Sequence, residues 1–218
     1  MKNKGWIFVC LLGVLMILAA GLLCVHNIRE SEDAAAYADS VLGALKQEIP
    51  EEPAETEPQS TEPDLFAPYA EQTDSSAAED IVIGGEAYCG YISLPSLNLE
   101  LPVMSSWSYP NLKKSPCRYS GTAETNDLII AAHNYTSHFG KIRRLTAGDP
   151  IVFTDTRGRQ FRYAVSFIEV IEGQDVEQMF SGQAEEWDLT LFTCTLGGKS
   201  RVTIRADRAG EADSAGSQ

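Results

Sequence analysis

Two periodicities divide the chain. From Trp6 to Val25, twenty consecutive positions carry no charge, about the length at which a helix crosses the hydrocarbon core of a bilayer. The run exceeds the roughly 7–15 apolar residues of a cleaved secretion signal, so residues 1–29 are expected to form a cytoplasmic end and a transmembrane signal anchor. Lys2 and Lys4 precede the run, which puts the amino terminus inside and everything that follows outside. Behind the span, Tyr37, Val41, Leu45 and Ile49 recur every four positions after a Ser-Glu-Asp start, predicting a helical stalk over about 30–49. Residues 50–76 hold five of the ten prolines among Glu, Thr and Ser, and this composition predicts disorder. Residues 30–76 are therefore expected to be an acidic stalk and linker, helical then disordered.

From about Asp80 the pattern changes to short β-rich runs broken by turn residues. They are "IVIGG", "AYCGYISL", "LNLELPV", "DLIIAAH", "DPIVFTD", "RQFRYAVSFIEVI", "DLTLFTCT" and "SRVTIRA". "DTRGRQ" reads as a hairpin turn, and short helical segments are expected near 140–146 and 174–181. About eight strands in some 130 residues predict an all-β barrel or sandwich over residues 77–208. Residues 209–218 read as a disordered tail.

Charge sharpens this division. The net charge of −14 arises between Glu30 and Asp80, where 15 acids face one base, Lys46; elsewhere acids and bases cancel. The acidity thus describes an extended, self-repelling tether and says nothing about the partners of the folded part. "KIRR" at 141–144 and Arg157, Arg159 and Arg162 read as solvated faces, so no nucleic-acid partner is expected. Of five cysteines, Cys10 and Cys24 fall in the apolar run. The other three, Cys89, Cys117 and Cys194, are odd in number in a compartment that permits disulfides. Cys89 and Cys117 can pair or remain buried thiols.

Cys194 closes one apolar strand and Arg201 opens the next, six residues later. In an antiparallel hairpin these two residues oppose each other and share a face with Thr190, Phe192, Thr203 and Arg205. Leu191, Thr193, Val202 and Ile204 take the other face. The pairing has chemical sense, because a nearby cation raises the thiolate fraction of a cysteine and a guanidinium can bind an oxyanion. A proton donor is then required, a role that histidine usually fills. His133 ends the apolar strand "DLIIAA" and is the first candidate; His138 in the following loop is the second, and His26 lies at the membrane exit.

"TLFTC" at 190–194 resembles the Thr-Leu-x-Thr-Cys signature of the sortases, cysteine transpeptidases of Gram-positive cell surfaces. "LIIAAHN" resembles their strand-plus-histidine motif, Arg201 stands where their arginine follows, and "GYISLPSLNLELPV" is similar to their opening strands. The resemblance covers about residues 82–207 and implies a closed β-barrel of about eight strands with short helices. It also implies roles: Cys194 attacks the Thr–Gly carbonyl of an LPXTG-like sorting signal and forms a thioacyl enzyme. His133 protonates the departing amine and later deprotonates the incoming one, and Arg201 orients the signal and stabilises the oxyanion. Thr193 and Thr190 of the same motif are expected to bind substrate. The expected partners are sorting-signal peptides, a peptidoglycan precursor or other amine acceptor, and the membrane.

Three features depart from the family pattern. Ala132 precedes the histidine where many sortases have glycine. The Cys–Arg loop has only six residues. "PDLFAP" at 63–68 is similar to the lid of pilin-polymerising sortases, but Leu65 replaces the proline, so no lid is expected. With no second apolar span, and with "HNYTSHFGKI" resembling a class B-like enzyme, wall anchoring is the expectation ahead of pilin polymerisation. Some sortases bind calcium where Glu172, Asp175 and Glu177 fall; a solvated helix and no cofactor are expected here. The competing functions are hydrolysis at the same cysteine and a tethered, non-catalytic binding module.

Overall fold

The computed structural model describes residues 5–50, 78–180, 185–195 and 197–209. The segment carrying the lid-like "PDLFAP", the prolines of the linker after Pro50, and the tail after Ala209 lie outside the described residues. Three helices are described, α1 (Gly5–Glu48), α2 (Tyr109–Lys114) and α3 (Val176–Phe180), with 3-10 turns at Pro95–Leu97 and Phe139–Arg144. Nine strands accompany them: β1 (Ile81–Ile83), β2 (Glu86–Leu94), β3 (Leu99–Met104), β4 (Cys117–Ser120), β5 (Leu128–Ala131), β6 (Pro150–Asp155), β7 (Gln160–Glu172), β8 (Leu189–Cys194) and β9 (Ser200–Arg208).

The sheet runs β1-β2-β3-β4-β5-β8-β9-β7-β6, and a further pairing of β2 with β6 closes strands β2 to β9 into an eight-stranded barrel. β1 adds a short ninth strand to the start of β2. Closure depends on Gly90, which pairs with Val103 of β3 on one side and Asp155 of β6 on the other. Its φ is +145°, and a Cβ there would lie 2.1 Å from the Thr154 carbonyl oxygen. Only glycine lets the two backbones approach so closely. The interior is filled by Ile92, Leu94, Val103, Leu128, Ile130, Phe139, Ile142, Ile151, Leu191 and Ile204.

The eight runs expected as strands all form, and β4 is an addition. It is only four residues long and joins β3 through a single parallel pair, Met104 with Cys117. α2 was likewise not expected; Ser108 caps it by accepting a hydrogen bond from the Asn111 N–H, and Pro110 occupies its first turn, where a missing N–H costs little. The segment expected as helix at 140–146 is a 3-10 turn. Cys89 and Cys117 are both free and buried. Loss of solvent pushes each thiol up to about 12, which leaves them inert.

α1 is long and apolar enough over its first part to cross a membrane, and that part is wholly exposed. The second part corrects the picture of a free stalk. Ala34, Ala38, Val41, Leu45 and Ile49 are buried, and Val41, Leu45 and Ile49 share a cluster with Tyr88, Met104 and Cys117 of the barrel wall. Burying side chains of this size is worth about 1.5–3 kcal/mol each for the larger ones. The Tyr37 and Tyr88 hydroxyls lie 2.9 Å apart, and Lys46 Nζ lies 2.6 Å from Glu100. The folded unit therefore begins near residue 30. An apolar stripe on a helix looks for a partner surface, and the barrel supplies it.

Replacing Gly90 by Ala is expected to cost about 1–3 kcal/mol through overpacking at the β2–β6 crossing. Urea denaturation of the detergent-solubilised chain measures this.

Candidate active site

β5 and β8 are parallel neighbours, with Ala131 opposite Phe192 and the Ala132 N–H donating to the Phe192 carbonyl. β8 and β9 are antiparallel, with Cys194 opposite Arg201 as the hairpin reading required. Two residues beyond the Ala131–Phe192 pair, the same row carries His133, Cys194 and Arg201 on three adjacent chains. Neighbouring strands are about 5 Å apart, so the three residues lie on adjacent chains, Cys194 on the middle one. The Cys194 residue is exposed and His133 is partly buried. Of the three histidines, only His133 belongs to this row.

Each member is held differently. The Arg201 Nη1 donates to the carbonyls of Gly198, at 3.0 Å, and Ser200, at 3.2 Å. Among the described residues none accepts from its Nε or Nη2, so donors remain for a ligand. Gly173, after β7, makes room for this arrangement: a Cβ there would lie 2.6 Å from the Lys199 carbonyl and 3.2 Å from Arg201 Nη1. His133 stacks on Tyr135 with ring centroids 3.9 Å apart. Burial holds its pKa below the ordinary histidine value; Glu30 opposes that effect and Lys113 adds to it.

Two residues before the thiol, Phe192 begins a strip of contacting aromatic rings. Phe192 packs edge-on against Tyr119, which contacts Trp107 and Phe180, and Trp107 contacts Tyr109. Trp107, Tyr109 and Phe180 are exposed. These side chains come from β4, β8 and the edges of α2 and α3, so their convergence was not readable along the chain.

The two threonines expected to bind substrate are both buried. Thr193 lies on the opposite face from Cys194 and is buried. Thr190 shares the face but is buried under Arg205, whose Nη1 donates to its hydroxyl at 2.8 Å. Arg205 is itself fully buried. It also donates to Glu169, at 2.8 Å, and to the carbonyls of Gln178 and Met179 at the end of α3, and it packs on the Trp187 ring. Arg205 thus fastens α3, and Phe180 with it, to the barrel. Asp175 caps the start of α3 by accepting from the Gln178 N–H. Among the described residues no three His, Cys, Asp or Glu side chains converge as a metal site.

His138 is fully buried behind Tyr135, and among the described residues neither ring nitrogen meets a partner at ordinary hydrogen-bond geometry. Burial, reinforced by repulsion from His133, pushes its pKa down to about 4, and the Ala34 carbonyl offsets this only in part. It is a neutral core residue.

Residues 92–209, more than half of the chain, match the family model described as the sortase domain. Sortase A of Bacillus anthracis is 27% identical over 133 residues, which are 57% of this chain and 60% of that protein. The chain thus spans less than two thirds of the length of that curated relative. Among solved structures, sortase C1 of Streptococcus agalactiae superposes with a TM-score of 0.52 at 24% identity, over 59% of this chain and 71% of that one. Sortase C1 of GBS pilus island 1 gives 0.53 at 22% identity, over 89% and 88%. At these identities the two structures speak for the fold.

Two measurements test the packing around the site. Arg205→Met leaves Glu169 and two carbonyls without their donor and is expected to destabilise the chain by about 3–5 kcal/mol. Hydrogen exchange should quicken in α3 before it does elsewhere. For His138, the unfolded chain binds a proton below about pH 6.5 whereas the folded chain does not until about pH 4. Stability is therefore expected to fall by about 3 kcal/mol between these values as the pH drops. The decline should flatten in His138→Phe, followed by thermal unfolding against pH.

Proposed function

This chain belongs to the sortase family, and we propose that it is a membrane-anchored transpeptidase that uses Cys194 as its nucleophile. It cleaves an LPXTG-like sorting signal and joins the released carboxyl end to a cell-wall amine. The observation that carries the reading is the pairing of Cys194 with Arg201 across β8 and β9, with His133 two residues past the end of the neighbouring β5. A non-catalytic binding module would have no use for an exposed thiol opposite an arginine and beside the chain that carries His133.

The chemistry follows from that arrangement. The Cys194 sulfur attacks the carbonyl carbon between threonine and glycine, and the carbonyl oxygen takes up negative charge. The Arg201 Nε and Nη2 can donate to that oxygen. The intermediate collapses when His133 in its protonated form gives a proton to the glycine amine, which leaves. A thioacyl bond to Cys194 remains. The acceptor amine then attacks it, neutral His133 takes the amine's proton, and the sulfur departs as thiolate. The aromatic strip from Phe192 to Trp107 offers apolar cover for the signal's side chains on the side from which it reaches the thiol.

α1 supplies the anchor. With Lys2 and Lys4 on the inner side, its apolar part crosses the membrane once and leaves the barrel outside. Sorting signals on secreted chains would meet the enzyme there.

The full chain in nanodiscs, offered a panel of LPXTG-like peptides with amine acceptors, is expected to form amide product detectable by mass spectrometry. Cys194→Ala should abolish it, and His133→Ala and Arg201→Ala should each lower the rate by about a hundredfold or more. Absence of product on every peptide, with Cys194→Ala indistinguishable from the parent, would sink the proposal.

A further inference from the structure

His133 lies beyond the last residue of β5, on a segment without regular secondary structure. Its carbonyl accepts from the Phe139 N–H at 3.2 Å, and among the described residues its buried Nδ1 has no partner. The ring stacks on the face of Tyr135 at an interplanar angle of 22°, and the Asn134 side chain is its hydrogen-bonding neighbour. Tyr135 is buried, and its hydroxyl donates to Glu30 Oε2 at 3.3 Å. Glu30 lies on α1, five residues past the uncharged run. That distance is roughly 8 Å along a helix.

Neighbouring contacts make the same connection. Lys113 Nζ of α2 lies 3.2 Å from Glu30 Oε1. The Ser137 hydroxyl donates to the Ser31 carbonyl at 3.0 Å. Residues 30 and 31 of α1 therefore hold the loop that carries His133 at two points, Tyr135 and Ser137. This contact crosses about a hundred residues of sequence and brings the membrane-proximal helix to the proton carrier of the site.

We propose that Glu30 is a positioning residue for His133, acting through the Tyr135 ring, so that the proton donor is complete only while α1 is docked on the barrel. This inference rests on the transpeptidase reading above. The titratable and polar groups that act on His133 are Glu30 of α1, Lys113 of α2, and Asn134, Tyr135 and His138 of its own loop, with Cys194 and Arg201 on the adjacent strands. Among these, Glu30 supplies the negative charge that opposes desolvation of the imidazolium, and Lys113 works against it. Docking of α1 thereby sets both the ring's orientation and the fraction that can donate a proton.

The test uses the full chain in nanodiscs and three variants. Glu30→Gln keeps the shape and removes the charge, Tyr135→Phe removes the hydroxyl, and Lys113→Met removes the opposing cation. The His133 titration midpoint is read by NMR, Cys194 reactivity by its alkylation rate against pH, and turnover with the peptides above. Glu30→Gln is expected to lower the midpoint by about half a pH unit. Above the midpoint that shift cuts the protonated fraction and kcat by about threefold. Lys113→Met should move the midpoint the other way, which a role in stability alone does not produce. Tyr135→Phe should lower kcat with KM unchanged. Midpoints and alkylation profiles that match the parent in Glu30→Gln and Lys113→Met, despite changed melting temperatures, would overturn the inference. Opposite midpoint shifts without peptide turnover would uphold the coupling and count against the transpeptidase reading. Turnover in the parent with unmoved midpoints would do the reverse.

Discussion

The parallel hydrogen-bonding of β5 to β8 is the constraint on which the site depends. A parallel pair brings the carboxyl ends of both strands to the same edge, so the residues just beyond them lie side by side. The next strand, β9, returns antiparallel from that edge and places its first residues in the same row. His133, Cys194 and Arg201 are adjacent for this reason and for no local one. The crossover between β5 and β8 holds β6, β7 and α3, and the barrel must close around it for the row to persist. Gly90 at the β2–β6 crossing is thus remote from the chemistry and necessary to it.

Around this row the protein uses long polar side chains as fasteners. Arg205 ties α3 to the strands, and Arg201 is tied in turn to the loop that Gly173 lets approach. Both arginines sit on one face of β9, four residues apart. One has all its described contacts inside the protein, and the other keeps donors for a ligand. Burial makes the difference: Arg205 is covered by Trp187 and the end of α3, whereas Arg201 lies at the open edge.

Much of this was legible in the sequence because period two is unambiguous in short, strongly apolar strands. The Cys194–Arg201 register followed from six intervening residues and strict alternation, and His133 from its place after a wholly apolar run. β4 was not legible, since "CRYS" is short and half polar and its partner β3 lies across α2. The burial of Thr193 and Thr190 was not legible, because the two faces of β8 are covered by different parts of the fold, one by the interior and one by Arg205 and α3. The docking of α1 was masked by its acids. Ala34 and Ala38 lie flat against the barrel, and small residues contribute little to an apolar signal while permitting close approach. Glu30 and Tyr135 could be joined only by folding, for 105 positions separate them.

The continuous course of α1 also decides how force would travel through the anchored enzyme. Ile49, at the far end of the helix, is seated on the barrel, and Ile81 of β1 packs into the same cluster. Residues 50 and 78, on either side of the segment outside the described residues, therefore attach to one body. If α1 anchors the chain as proposed, a pull on the barrel wall would pass into α1 and along its axis, and the height of the barrel above the lipid would be counted in helical turns.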